Sequence, residues 1–488
     1  MVADLTGRGS WVGGMTCAID LARRGGNRNG MRLALVPLAL LSAAPALARP
    51  RPVVAIDAGR VRGTHDKGVE AFKGIPFAAP PVGSLRWRAP QPVARWTDVR
   101  DASAYGHDCM QKPFDSDAAP LGTAPSEDCL VANVWRPAGA RKLPVLVWIY
   151  GGGFVNGGSS PPTYAGAAMA AKGIVFVSFN YRLGRFGTFA HPALTAVDAD
   201  HGLLANYGYL DQLAALRWVQ RNVAALGGDP ARVTIVGESA GGFSVHALMT
   251  SPMAKGLFAG AVIQSGGLGD DEATTMAAAE AAGVAFARTK GITGIDAPAL
   301  AALRALPAEA IVDGLNLASR GDSKGPPTYV GPVADGRIAV DPLTAYRAGR
   351  FAPVPVMLGA TSDDIGGPTG YMATGATRMA KIFASAGVPT WAYRFSYVAD
   401  SVRTPDMKGA AHATDIPFFF DTADVKYGAA TTATDRRAAT LASGYLTGFV
   451  AAGDPNGGGR PAWPLYGTNG TLLDLDAGGG ATPVRISD

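Results

Sequence analysis

The chain has 488 residues, 48% of them hydrophobic and 17% charged, which is enough apolar material for a sizeable core. Its net charge is +5, but residues 1–48 hold five arginines and two aspartates, so little of that excess lies in the rest. With no basic stripe interleaved with aromatic residues, a nucleic-acid partner is excluded. Length alone suggests about three domains. However, no Pro- or Ser-rich linker, charge run or repeat divides the chain after about residue 50. Strand and helix patterns alternate instead, which points to one large α/β unit over 49–488.

The leader comes first. Met31-Arg32 is followed by the apolar run Leu33-Ala34-Leu35-Val36-Pro37-Leu38-Ala39-Leu40-Leu41 and then by Ser42-Ala43-Ala44-Pro45-Ala46-Leu47-Ala48. A charged start, a short apolar core and an A-x-A site form the layout of a secretory signal peptide. The run is too short to cross a bilayer as a helix, so no stable membrane span is expected. Residues 1–30 are rich in Gly and Arg and do not fit this layout. The expectation is a translation start at Met31, a signal peptide over 31–48 and a mature N-terminus at Arg49. Export would make the protein secreted or periplasmic; an uncleaved membrane anchor is the alternative. Of the three cysteines, Cys17 lies in the leader. Cys109 and Cys129 are left as one pair, which in an exported protein suits a disulfide closing a surface loop. Two free buried thiols are the other reading.

Further along, Leu143-Pro144-Val145-Leu146-Val147-Trp148-Ile149-Tyr150 reads as a strand that ends in Gly151-Gly152-Gly153-Phe154. Such glycines let backbone N–H groups turn inward towards a substrate carbonyl. A phosphate cradle is the competing reading. It would call for the Lys-Ser/Thr pair of a P-loop or a G-x-G-x-x-G leading into a helix, and neither follows.

The next element is the most specific. Arg232-Val233-Thr234-Ile235-Val236 is strand-like, and Gly242-Phe243-Ser244-Val245-His246-Ala247-Leu248-Met249 is helix-like. Between them stands Gly237-Glu238-Ser239-Ala240-Gly241. Strand, G-x-S-x-G, helix is the context of a nucleophile elbow. A serine on so sharp a turn is backbone-strained, and bulky neighbours on either side would clash. The helix N-terminus behind it favours negative charge nearby. The Ala240 N–H would join N–H groups of the glycine loop as oxyanion donors, three in all.

A serine nucleophile needs a base and an acid to orient that base. The six histidines are His65, His107, His191, His201, His246 and His412. His246 rides the helix after the elbow and reads as a packed or surface residue. α/β-Hydrolases order their triads Ser, acid, His, and His412 is the histidine that satisfies this order. The acid should follow a strand, because an α/β sheet puts its chemistry at the carboxyl ends of its strands. Val354-Pro355-Val356-Met357-Leu358-Gly359 reads as such a strand and leads into Ala360-Thr361-Ser362-Asp363-Asp364. Asp363 or Asp364 is therefore the acid; solvated loop charges are the alternative. No H-E-x-x-H or C-x-x-C occurs, so neither a metal nor a cofactor is called for.

These residues together resemble the type-B carboxylesterases, the carboxylesterase/cholinesterase group of α/β-hydrolases. The resemblance runs from about Val53 to about Leu475. Its blocks include Phe72-Lys73-Gly74-Ile75-Pro76-Phe77-Ala78, Ser126-Glu127-Asp128-Cys129-Leu130, Asn180-Tyr181-Arg182-Leu183-Gly184, Gly227-Gly228-Asp229-Pro230 and Gly453-Asp454-Pro455-Asn456. It implies an α/β-hydrolase fold, with a central, mostly parallel twisted sheet flanked by helices. The implied activity is Ser-His-Asp acyl-enzyme hydrolysis of a small-molecule carboxylic ester, with small to medium esters expected and bulky aryl esters as the outer range. By position it implies Ser239 as nucleophile, His412 as base, Asp364 as acid, and Gly152, Gly153 and Ala240 as oxyanion donors. Most relatives carry Glu where this chain has Asp364, so Asp363 stays as an alternative acid. Tyr150 stands where His is usual, and Glu238 lies beside the nucleophile. Cys109 and Cys129 match the family's first disulfide; Arg86 with Glu127, and Arg182 with Asp211, match its structural ion pairs.

Two departures bear on substrate. Cholinesterases hold a quaternary ammonium on a Trp in the first disulfide loop; here Phe114 is the aromatic of that loop, which argues against choline esters. Asp364 and His412 are only 48 residues apart. This contraction implies a reduced cap and a more open cleft. The same resemblance leaves an amidase on the same triad, or a non-catalytic binding member, as other readings. Oligomeric state is not legible.

Overall fold

The computed structural model describes residues 50–114, 119–269, 273–320, 325–467 and 469–485. The predicted leader, 1–48, lies outside the described residues. Among those described, eleven strands join in one sheet. Seven neighbours run parallel. In sheet order they are Val175–Phe179, Leu143–Ile149, Gly228–Glu238, Gly260–Gln264, Val356–Thr361, Thr390–Phe395 and Thr471–Leu475. Antiparallel strands finish both edges: Ala481–Arg485 on one side, and Val131–Pro137, Val69–Pro76 and Thr64–Asp66 on the other. A separate three-stranded sheet holds Val53–Ile56, Gly59–Arg62 and Val99–Asp101.

The parallel strands read as near-continuous apolar runs because helices cover the sheet and leave no solvent-facing side. Val145 through Ile149 are all fully buried. Helix Ala240–Thr250 packs on strands Gly228–Glu238 and Gly260–Gln264. Helix Ala433–Ala452 packs on Leu143–Ile149 and Gly228–Glu238. A capping box starts it: Thr432 accepts from the Asp435 N–H and the Asp435 carboxylate accepts from the Thr432 N–H. Arg49–Asp488 forms one compact unit.

Strand boundaries shift slightly from the sequence reading. The run expected to begin at Val354 begins at Val356, because Pro355 has no N–H to give a neighbouring strand. The elbow strand is longer than expected and carries Gly237 and Glu238 into register with Ile263 and Gln264. The consequence for chemistry is direct. The glycine loop, Ser239 and Asp364 all follow the carboxyl ends of parallel strands, where the chain leaves the sheet.

Cys109 and Cys129 form a disulfide, with their Cα atoms 5.0 Å apart. Both expected ion pairs are present. Arg86 Nε donates to Glu127 Oε2 at 2.8 Å. Arg182 grips Asp211 through Nε and Nη2, each at 2.8 Å, and both residues are buried. A buried pair of this kind fixes chain geometry more than it adds net stability. Among the described residues no helix is long and apolar enough to cross a membrane.

Candidate active site

Ser239 occupies a single-residue bend between strand Gly228–Glu238 and helix Ala240–Thr250, at φ 54° and ψ −123°. A non-glycine residue there is strained, and the surroundings must hold it in place. They do so from both sides: the Ser239 N–H donates to Gln264 O at 2.9 Å, and the Phe243 N–H donates to Ser239 O at 2.9 Å. The flanking glycines are required by contact. A Cβ at Gly237 would come 2.2 Å from Gly241 O, and one at Gly241 would come 2.0 Å from Ile149 O.

The glycine loop approaches this bend closely. A Cβ at Gly151 would lie 2.9 Å from Ser239 Cβ. Gly152 and Gly153 take φ of 104° and 62°, which points their amides away from the ordinary strand direction. The turn is closed by the Asn156 N–H donating to Gly152 O at 2.9 Å. Among the described residues no backbone carbonyl accepts from the N–H groups of Gly152, Gly153 or Ala240. All three residues line one cavity of about 710 Å³ together with Ser239, Glu238 and His412.

Asp364 is the aspartate that meets the histidine. Its Oδ1 stands 2.6 Å from His412 Nδ1, so the shorter acid reaches the base. Oδ2 accepts from Ser265 Oγ at 2.6 Å, Thr361 N at 3.0 Å and Thr361 Oγ1 at 2.9 Å. The Ile365 N–H donates to Oδ1 at 2.7 Å. Burial opposes the charge on Asp364, but the His412 hydrogen bond and these donors outweigh it and hold the carboxyl below its usual range. Asp363 has a different part. Its N–H donates to Ala410 O at 2.9 Å, and the residue bridges to Ala411. Ser362 Oγ accepts from the Ala410 N–H at 2.9 Å. These bonds clip the acid's loop to the base's loop.

His412 Nε2 faces Glu238, 3.2 Å from Oε1, and no hydrogen bond joins it to Ser239 Oγ among the described residues. Glu238 is buried, and its carboxyl is pushed up to about 8, first by burial and then by the nearby Asp415 and Asp364, against the pull of His412. For His412, burial works against the charged ring, but Glu238 and Asp364 outweigh it and lift the imidazole to about 9. A third carboxylate, Asp415, is fully buried beside them and raised to about 6 by burial and by Asp364. It accepts from Gln264 Nε2 and Tyr393 Oη, each at 3.2 Å. The site is thus one imidazole among three enclosed carboxyl groups.

Tyr150, expected near the site, belongs to the scaffold. It is fully buried and stacked on Tyr181 at 4.5 Å. Its hydroxyl donates to Tyr181 O at 3.1 Å, and Tyr181 Oη donates to Tyr150 O at 2.8 Å. His246 is a packed histidine, with Nδ1 2.9 Å from Tyr346 Oη and Nε2 2.9 Å from Gly266 O; burial lowers it to about 4. Sequence reasoning missed Asp415, Ser265 and Arg320. Asp415 carried one usable signal, its position three residues past His412. Arg320 had none, because its loop meets the glycine loop only in the fold: Nη1 donates to Gly153 O at 2.8 Å. No group of three or more His, Cys, Asp or Glu able to hold a metal occurs among the described residues.

The chain is also similar to known proteins. The profile of the carboxylesterase family matches residues 50–372 and 368–482. The chain is 33% identical to the fumonisin B1 esterase of Sphingopyxis macrogoltabida, over 87% of this chain and 86% of that one. It is 34% identical to the para-nitrobenzyl esterase of Bacillus subtilis (strain 168), over 85% and 92%. In three dimensions it is similar to a PNB esterase structure, with a TM-score of 0.78, 30% identity and coverage of 89% and 97%. A crystal structure of a Geobacillus stearothermophilus carboxylesterase gives a TM-score of 0.76 at 32% identity, covering 89% and 98%. With the family matched along nearly all of the described chain and the fold shared over 89% of the whole chain, this protein belongs to the carboxylesterase family and is a carboxylic ester hydrolase of the α/β-hydrolase fold.

Proposed function

We propose that the protein hydrolyses esters that bear a bulky apolar group by two-step acyl transfer at Ser239. His412 takes the hydroxyl proton, Ser239 attacks the ester carbonyl, and the N–H groups of Gly152, Gly153 and Ala240 stabilise the oxyanion. His412 then protonates the leaving alcohol, and water hydrolyses the acyl-enzyme. Asp364 fixes the ring so that Nε2 is the accepting nitrogen. The observation that carries this reading is the 2.6 Å contact between Asp364 Oδ1 and His412 Nδ1, at a cavity that also holds Ser239 on its strained bend. Catalytic hydrogen bonds to the nucleophile commonly tighten only with substrate bound. The apolar preference rests on the cavity wall. Leu317, Ile365 and Tyr371 line it and are 40%, 44% and 42% exposed, an apolar rim open to an incoming ester.

Export by the 31–48 signal peptide is part of the proposal, supported by the leader's layout and by the Cys109–Cys129 disulfide. One preparation tests both claims. Protein recovered from the exported fraction is sequenced at its N-terminus and assayed on p-nitrophenyl esters from acetate to decanoate and on bulky aryl esters. The expected result is a start at Arg49 and turnover extending to the bulky esters. A start upstream of Met31 overturns the export reading. Selectivity for short acyl groups overturns the open-cleft reading, and amide turnover without ester turnover overturns the ester assignment.

Glu238 gives the pH dependence its sign. The base must be neutral to accept a proton, and negative charge on Glu238 is, with Asp364, one of the two main influences that favour the imidazolium. Glu238→Gln removes that charge, so the His412 pKa falls and the acid limb of the kcat/KM profile moves to lower pH. An acid limb left in place would show that Glu238 does not tune His412.

A further inference from the structure

The cavity above Ser239 is apolar at its rim, but one wall carries a fixed cation. Arg320 is exposed and lines the cavity, and it is the only Lys or Arg to do so among the described residues. Among the described residues its guanidinium meets no carboxylate. Nη1 donates to Gly153 O at 2.8 Å, and the contact is close enough that a Cβ at Gly153 would lie 2.6 Å from that nitrogen. The group is therefore seated on the glycine loop itself, beside the peptides that would receive the ester oxygen. A guanidinium has five N–H donors in a fixed fork. The bond to Gly153 uses one of its edges and leaves donors for a ligand in the cavity. Leu317, three residues earlier, touches the same glycine position, with its Cδ1 2.7 Å from that Cβ. An apolar surface and a cation thus stand side by side at the reacting end of the cavity.

We propose that Arg320 selects esters that carry a carboxylate on the acyl side, close to the scissile carbonyl: half-esters of short dicarboxylic acids with an apolar alcohol. The substrate carboxylate pairs with the free donors of Arg320, and the alcohol lies along Leu317, Ile365 and Tyr371. Arginine is suited to this because its planar fork matches a carboxylate in two parallel hydrogen bonds. Among the described residues the other titratable groups facing the cavity with a carboxyl or imidazole are Glu238 and His412, and they stand at the nucleophile rather than on the glycine loop. The inference rests on Ser239 being the nucleophile of this cavity.

The test compares mono-p-nitrophenyl glutarate with its methyl-capped, neutral counterpart, reading p-nitrophenolate release by wild type, Arg320→Ala and Arg320→Lys. The quantity read is the ratio of the two kcat/KM values. In wild type the anionic ester is preferred, and raising ionic strength lowers the ratio, because an ion pair near solvent is screened. Arg320→Ala lowers the ratio about tenfold, the size expected for loss of a charge-assisted hydrogen bond. Arg320→Lys keeps part of it. If Arg320 only braces the glycine loop, both esters slow together and the ratio stays fixed, which overturns the proposal. A wild-type ratio below one, or one indifferent to salt, overturns it too. Failure of wild type to turn over either ester would instead count against the nucleophile assignment, so the two failures are distinguishable.

Discussion

Ser239→Ala reduces p-nitrophenyl ester hydrolysis by on the order of 10⁶ in kcat, while the protein stays folded. The chemistry requires the oxygen: without Oγ no acyl-enzyme forms, and what remains is transition-state stabilisation by the oxyanion donors acting on water. The fold does not require it. No hydrogen bond among the described residues runs from Oγ to His412, and the strained bend is held by backbone bonds to Gln264 and from Phe243. Alanine accepts the same φ of 54° at about the same cost. The measurement is kcat on a purified variant whose circular dichroism and Tm match wild type. Residual activity within a hundredfold of wild type would remove Ser239 from the mechanism.

Asp364→Asn costs on the order of 10⁴ in kcat, the size seen when a triad acid loses its charge but not its shape. The hydrogen bonds predict how. Three donors, from Ser265 and Thr361, converge on Oδ2. An asparagine must place its amide oxygen there, so its NH₂ takes the place of Oδ1 and donates to His412 Nδ1. Nδ1 is then the acceptor, Nε2 carries the hydrogen, and the ring cannot take the serine proton. The amide also stands against the Ile365 N–H, which now donates to Oδ1, so some loss of Tm accompanies the loss of rate. A variant retaining more than a tenth of wild-type kcat would contradict this tautomer argument. Asp363→Asn is the comparison, since that residue's observed tie to the base's loop runs through its backbone.

Why was so much of the site legible beforehand? Ser239 and the glycine loop are local signals. The turn needs small residues at fixed offsets, and the clashes a Cβ would meet at Gly237 and Gly241 give the reason. His412 followed from chain order and from the scarcity of histidine. The choice between Asp363 and Asp364 was not local. Adjacent residues leaving a strand point different ways, and which one turns inward depends on the Thr361 and Ser265 donors waiting there. Asp415 and Arg320 were harder still. A buried aspartate and a loop arginine look ordinary in sequence, and they gain meaning only once strands and loops far apart in the chain stand beside them. Tyr150 shows the reverse case. It adjoins the glycine loop in sequence, but its ring packs in the core against Tyr181.

The clip between the two loops, from Asp363 and Ser362 to Ala410 and Ala411, makes the chain between them a module fastened at its two ends and again inside the sheet, through strand Thr390–Phe395. It begins and ends at one fastened point, so the distance from acid to base is set by the fastening and not by the length of what lies between. Its connecting stretches 365–370 and 396–409 lie outside the helix and the strand and can change length at a modest entropic cost that grows only with the logarithm of that length. Helix Tyr371–Ser385, which brings Tyr371 and Met372 to the cavity, lies inside that module. Changes in those stretches can therefore reshape the cavity wall while the hydrolytic machinery stays in register.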